Sequence, residues 1–317
     1  MNKTVLSVFA LLPISIASAN AFETSRFSGE FSLNSGFSST NSNLSTQGSE
    51  QINHLGKGET SDNIFVAPLG SLYYALTEQK NQRVYLGTSR DDLAVGTLAF
   101  ELGYQYDYQN GTKLDIAYLP TVVADEVWAN PYLTGQKRET TDRQGNAYRL
   151  KLSNLWNSGV SLDMAYATAE IDNESIGYAE LQRDSESYFI KGQYRTMLNR
   201  NAGYITAFSY THHDAAGDAA SFNSYKAELS YFYLESNYRL SLTGSYELKE
   251  YSAENPIFAQ TRSDDVYRLF LGYEYDSIPS WDNWSIISFV GTTINDSNIN
   301  FYKSDSLLMS VGVNYKF

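Results

Sequence analysis

From Phe27 to the C-terminus the chain keeps a rhythm two residues long. Glu101, Gly103, Gln105 and Asp107 alternate with Phe100, Leu102, Tyr104 and Tyr106. Beyond Gln109-Asn110-Gly111, Leu114, Ile116 and Tyr118 alternate with Lys113, Asp115 and Ala117. Tyr148, Leu150 and Leu152 interleave with Arg149, Lys151 and Ser153, as Tyr238, Leu240 and Leu242 do with Arg239, Ser241 and Thr243. An extended strand sends successive side chains to opposite faces, so each run has one apolar and one polar face. Helical spacing is almost absent, and the expectation is an all-β, antiparallel fold.

A soluble sandwich shows the same alternation; the connections separate the two. Tight ones fall at Glu78–Asn81, Gln109–Gly111, Asn157–Gly159, Asn199–Gly203, Glu235–Asn237 and Ser277–Asn283. Between them lie mostly longer polar stretches: Ser39–Ser61, a short one near Arg90–Asp92, Glu126–Gln144, Asp172–Arg183, Asp214–Ala220, Glu250–Arg262 and Asp296–Ser304. Short periplasmic turns alternating with longer outer loops is the pattern of a transmembrane β-barrel. Six turns and seven loops imply fourteen strands in an up-and-down barrel, with both termini on the periplasmic side. Closure follows from the solvent, because hydrocarbon leaves an open sheet edge unpaired at several kcal/mol per group. The alternating runs supply the ~9–11 residues a tilted strand needs to cross.

Export is written at the N-terminus. Lys3 precedes an apolar run from Val5 to Ile16, and Ala19-Asn20-Ala21 offers a small-x-small cleavage site. The expected organisation is a signal peptide over 1–21 and one barrel over 22–317, placed in the outer membrane of a Gram-negative cell. The run is shorter than the ~20 apolar residues of a spanning helix. The mean hydropathy of −0.37 is compatible with a barrel, since every second residue faces lipid. With no cysteine among 317 residues, disulfide frameworks, thiolate metal sites and a thiol nucleophile are excluded. A net charge of −13 argues against nucleic acid as a partner.

Aromatic residues crowd the tight turns: Tyr73, Tyr74, Tyr106, Tyr108, Trp156, Tyr204, Tyr231, Tyr233, Tyr238, Tyr273, Tyr275, Trp281, Trp284 and Tyr315. They are expected to form one ring at the periplasmic lipid interface, where a ring with a polar tip is favoured. The last strand, Ser310-Val311-Gly312-Val313-Asn314-Tyr315-Lys316-Phe317, resembles the terminal targeting strand of outer-membrane proteins. That resemblance implies an assembly signal carried by Gly312, Tyr315 and Phe317, read by the outer-membrane assembly machinery. The whole chain is similar to an uncharacterised family of Gram-negative outer-membrane proteins, a domain of unknown function, and in architecture to monomeric fourteen-stranded porins.

Eight strands leave a barrel filled by side chains and sixteen to eighteen leave an aqueous channel, so a narrow wet lumen is expected from fourteen. The porin-like reading implies passive diffusion of small hydrophilic solutes. Turning the polar phase of each strand inward lines the lumen with Glu30, Arg83, Glu101, Lys113, Asp115, Arg149, Lys151, Asp163, Lys191, Arg195, Lys226, Glu228, Arg239, Glu247, Arg268 and Glu274. Arg149, Lys151, Lys191, Arg195, Lys226 and Arg239 could form a basic wall for anionic oligosaccharides. Alternatively they pair with Asp163, Glu228 and Glu247 on neighbouring strands and only solvate the lumen. Glu126–Gln144 and Ser39–Ser61 are long enough to fold inward and occlude it. The remaining acidity sits mainly in loops, expected to face water and lipopolysaccharide.

No catalytic residue, metal site or cofactor is assigned. The nearest case for chemistry is His212-His213-Asp214 with Asp91-Asp92 at the outer rim, which resembles the residue types of omptin proteases. Adjacent residues of a strand point to opposite faces, which keeps His212 and His213 out of one site. A non-conducting surface or adhesin barrel is the other alternative to a channel.

Overall fold

The computed structural model describes residues 25–88, 100–121, 125–276, 278 and 280–317. The leader expected over 1–21 and the Asp91-Asp92 pair lie outside them. Fifteen strands form one sheet. The first seven are β1 (Phe27–Thr40), β2 (Ser61–Ala75), β3 (Gln82–Thr88), β4 (Phe100–Asp107), β5 (Lys113–Pro120), β6 (Asp125–Trp128) and β7 (Thr140–Ser153). The rest are β8 (Val160–Ile171), β9 (Ser185–Met197), β10 (Ala202–Ala215), β11 (Phe222–Leu234), β12 (Tyr238–Asn255), β13 (Gln260–Tyr275), β14 (Trp284–Ser297) and β15 (Ser304–Lys316).

Sequence neighbours pair antiparallel except β5 and β6, β1 pairs with β15, and β5 pairs with β7. The sheet therefore closes on itself. β5 occupies one part of β7, from Asn146 to Ser153, and β6 occupies another, from Thr140 to Arg143. The two are successive pieces of one stave, so the wall is a closed antiparallel barrel of fourteen staves.

The tight turns among the described residues stand where the sequence places them, at the end where β1 begins and β15 finishes (the terminal end). The turn after β7 shows why such residues are chosen. Asn154 and Asn157 hold positive φ, which asparagine tolerates better than most residues, and Asn154 Oδ1 accepts from the Gly159 amide at 3.0 Å. At the opposite, loop end two expectations need correcting. Glu250–Arg262 is not a loop: β12 runs on to Asn255 and β13 starts at Gln260. Glu126–Gln144 is partly strand, in β6 and the start of β7. Both segments lack the regular alternation of the apolar belt, although cross-strand hydrogen bonds continue past it.

One face of the wall is apolar and open: Phe31, Ile64, Val66, Leu102, Phe208 and Val311 are each more than half exposed. The other face carries contacts that reach over an intervening strand, as between β9 and β11, and is the concave, inner side. Aromatic rings bound the apolar belt at the terminal end, with Phe27 against Tyr74 (4.8 Å), Tyr106 against Tyr108 (4.5 Å), Tyr204 against Tyr231 (5.5 Å) and Trp284 against Tyr315 (5.1 Å). Tyr73 is an exception to the expected ring. It faces inward and stacks on Tyr85 at 5.4 Å, because it is one residue out of phase with Tyr74.

A second girdle stands at the other edge of the belt. Tyr118, Tyr148, Tyr166 and Tyr188 are direct cross-strand partners in sequence, with ring separations of 5.3 Å at the first contact and 5.1 Å at the last. Tyr210–Tyr225 and Tyr246–Tyr267 continue it, each at 5.3 Å. From Tyr238 in one girdle to Tyr246 in the other the strand rises about 26 Å at ~3.3 Å per residue. Tilt reduces that height, to the scale of a thin bilayer core.

Candidate functional site

The interior is built by register. Successive pairings run Arg83–Gln105–Asp115–Lys151–Asp163–Lys191–Ser209–Lys226–Glu247, one residue from each of β3, β4, β5, β7, β8, β9, β10, β11 and β12. Barrel strands are tilted, so a row of direct partners climbs as it goes round. It starts beside the terminal-end turn at Arg83 and ends well up β12 at Glu247. Where Ser209 interrupts the charges, Glu228 reaches across to Lys191 (2.8 Å) and Lys226 (3.5 Å). Glu247 then meets Arg268 at 2.5 Å. The result is a ladder in which the signs alternate, Arg83, Asp115, Lys151, Asp163, Lys191, Glu228, Lys226, Glu247, Arg268, with Asp107, Arg149 and Lys249 as side contacts of Arg83, Asp163 and Glu247.

The six bases of the supposed basic wall are thus never alone. Arg149 grips Asp163 with two bonds of 3.0 and 2.6 Å. Lys151 stands between Asp115 and Asp163 in the register. Lys191 and Lys226 share Glu228, and Arg239 bonds Glu274 and Asp276 at 2.8 Å each. Arg195 lies over the Phe232 ring at 5.3 Å, a cation–π distance. Of the acids, Glu101 and Asp115 accept from the Tyr85 hydroxyl at 3.2 and 2.8 Å, and Asp115 also accepts from Gln105 at 2.8 Å. Glu30 accepts from Asn314 at 3.2 Å. Elsewhere on the inner wall Phe65, Leu69, Phe270, Phe289 and Leu308 form one buried cluster, with the buried polar residues Asn34, Ser285 and Asn314 in the same sector. Gly312 lies inside on β15, while Tyr315 packs outside against Trp284 and Phe317.

At the loop end the connections meet across the mouth, the point on which the sequence leaves both an open and an occluded lumen possible. Ile299, Phe301 and Tyr302, between β14 and β15, pack against Ile52 and Leu55 from the β1–β2 loop and against Phe258. Ile176, Leu181 and Ala219 form a second cluster, and Tyr132 belongs to both. The Tyr132 and Tyr302 hydroxyls meet at 2.7 Å, and Asn255 Nδ2 donates to Tyr302 at 2.8 Å. Burial raises the pKa of both phenols, so they stay neutral. The β1–β2 loop and the segment before β7, the two named by the sequence as long enough, bridge at Gln51–Lys137 and Ile52–Thr134.

Arg138 holds this cap together. It is 2% exposed, stacks 4.2 Å from the Trp128 ring, and donates to the carbonyls of Asn43 (2.8 Å), Pro131 (3.3 Å) and Ser49. Burial pulls its pKa below the usual guanidinium value. A second arginine, Arg183, donates to the Trp128 carbonyl at 2.7 Å and pairs with Glu174. At the rim, His213 faces inward, bonded to Ser187 at 2.8 Å, while His212 faces outward, bonded to Asn223 at 2.9 Å. The wall lies between the two imidazoles.

A family model described as a protein of unknown function, DUF2860, matches residues 27–316. The chain belongs to the DUF2860 family. Its match covers the whole barrel from the first residue of β1 to the last of β15. No curated protein matches the sequence. Among solved structures the DUF2860 barrel is similar to a Pseudomonas aeruginosa FadL homologue, at 9% identity, over 92% of this chain and 90% of that one, with a TM-score of 0.52. It is also similar to the Pseudomonas putida toluene transporter TodX, at 11% identity, over 98% and 95%, with a TM-score of 0.46. A third is the anion-selective porin from Comamonas acidovorans, at 8% identity, over 92% and 99%, with a TM-score of 0.41. At these identities the first likeness shows a shared barrel fold, and the two lower scores carry no further weight.

The cap residues of the DUF2860 barrel are the candidate positions that alternation alone passes over. A signal was present: Trp128, Pro131 and Tyr132, and later Ile299, Phe301 and Tyr302, put apolar side chains into stretches otherwise read as polar loops. The second girdle was equally visible, as a tyrosine near the loop end of most strands from Tyr118 to Tyr267.

Proposed function

We propose that the chain is an outer-membrane channel through which small hydrophilic solutes diffuse passively. The observation that carries this reading is the ladder of charges inside a closed barrel whose outside is apolar. Taking a charge out of water costs several kcal/mol even after relaxation, so a wall with this many ionised groups is stable where water reaches them. Water that follows the ladder from the terminal end to beneath the cap makes a path for small polar solutes. In this reading the terminal end is periplasmic, residues 1–21 are a cleaved leader, and the longer loops face lipopolysaccharide. The assembly machinery recognises the last strand through Gly312, Tyr315 and Phe317. Anionic oligosaccharides are the weaker choice of cargo, because the bases that would attract them stand beside carboxylates.

A second reading, a non-conducting surface barrel, is favoured by one observation, the packed cap. Refolded protein in a planar bilayer separates them. Stepwise conductance, raised when the cap is loosened by Arg138→Ala, supports the channel. Silence in both forms leaves the surface barrel.

A further inference from the structure

We propose that the ladder is a track for small zwitterions, solutes that carry one ammonium and one carboxylate. The proposal rests on the channel reading and names its substrate class. Neighbouring strands stand about 4.8 Å apart, so opposite charges recur along the ladder every one or two strands. A solute with two opposite charges a few ångströms apart can meet a carboxylate with its ammonium and a base with its carboxylate at the same time. Lys151, for instance, stands between Asp115 and Asp163, and Asp163 between Lys151 and Lys191. Moving one rung onward exchanges each contact for another of the same kind, so the zwitterion is held at every position and trapped at none. A simple anion beside any of these bases meets a carboxylate at the next rung. An uncharged polyol gains hydrogen bonds but no charge matching.

The alternation is maintained where it is most easily lost. Ser209 leaves Lys191 and Lys226 as consecutive charges in the row, and Glu228, from the next inward position of β11, bonds both. Arg149, one inward position from Lys151, is likewise matched by Asp163. Both sites of potential positive excess hold a carboxylate, Glu228 at the first and Asp163, shared with Lys151 and Lys191 in the row, at the second. A wall built for anions would leave those bases uncompensated.

The test is swelling of proteoliposomes containing the full barrel, native or Arg138→Ala, in isotonic glutamine, ribitol or sodium glutamate, three solutes of similar size. Glutamine is expected to enter roughly threefold faster than ribitol or glutamate, the order of effect of a charge contact at a wet site. Asp163→Asn with Glu228→Gln should bring glutamine down to the ribitol rate and speed glutamate. Asp163→Glu, which keeps the alternation, should retain the preference and guards against a folding defect. Equal rates for glutamine and ribitol, or glutamate fastest in the native barrel, overturn the zwitterion track while leaving a channel. No uptake of any of the three in either form overturns the channel reading and the track with it.

Discussion

The Lys191 ammonium and the Glu228 carboxylate meet at 2.8 Å although a whole strand, β10, lies between the strands that carry them. The contact exists because β10 presents only Ser209 at that level, and a short side chain leaves room for two long ones to join above it. Glu228→Gln would leave Lys191 and Lys226 facing each other with no carboxylate bonded to either. Loss of a charged hydrogen-bond partner at a partly buried site costs about 1–3 kcal/mol. Urea unfolding in detergent should show a loss of that order, and reversal potentials in a salt gradient should move toward anion selectivity. An unchanged reversal potential would place these lysines away from the conducting path.

Arg138→Ala removes three donor bonds and the stacking on Trp128 in one change. The barrel itself is untouched, so heat-modifiable migration on gels should persist. Protease cleavage within 41–60 should quicken, and open-channel time should lengthen. Arg138→Lys is expected to rescue little, because an ammonium lacks the planar fork that reaches separate carbonyls while stacked on a ring. Cleavage at the native rate in Arg138→Ala would show that the aromatic clusters alone hold the cap.

Tyr85 lies across Gly103 on the neighbouring strand, and a β-carbon added at Gly103 would overlap its ring. Overpacking of this kind costs typically about 1–3 kcal/mol. Gly103→Val should lower the folded fraction on refolding, and Tyr85→Ala in the same chain should restore part of it. Failure of the double variant to recover would place the clash in the backbone rather than the ring.

Asp305 is held below the usual carboxylate range chiefly by its hydrogen bond to Lys57 at 2.7 Å, and then by Asn41. A depressed folded pKa contributes stability that is present above the unfolded value and lost as pH falls through the folded one. Both partners are half exposed, so solvent screening keeps the contribution small. Protection of the β1–β2 loop from an acid-active protease should therefore fall slightly at pH below the ordinary Asp range. In Asp305→Asn the slope should flatten. An unaltered slope would assign the effect to other carboxylates.

Much of the barrel was legible because membrane burial imposes its own code on a strand. Leu102, Tyr104 and Tyr106 had to face one medium and Glu101, Gln105 and Asp107 the other, whatever the neighbours were. Tyr73 departs from the expected ring because two tyrosines stand side by side and alternation does not say which of them faces lipid. Glu250–Arg262 reads as a loop because a hairpin rising beyond the apolar belt has no apolar outer face to mark it. The inward placement of Arg149, Lys191 and Glu247 could be argued one strand at a time, but their partners could not.

What the sequence determined by itself is therefore the two faces of most strands, the tight turns and the even number of staves, all of which follow from local pattern and the demand that backbone amides be paired. The tertiary structure decided the rest. Which charge stands beside which depends on the stagger between strands, a global property of a closed cylinder that no single run of residues contains. The cap depends on contacts between segments as far apart as Asn43 and Phe301, joined at 2.9 Å only because closure brings β1 beside β15.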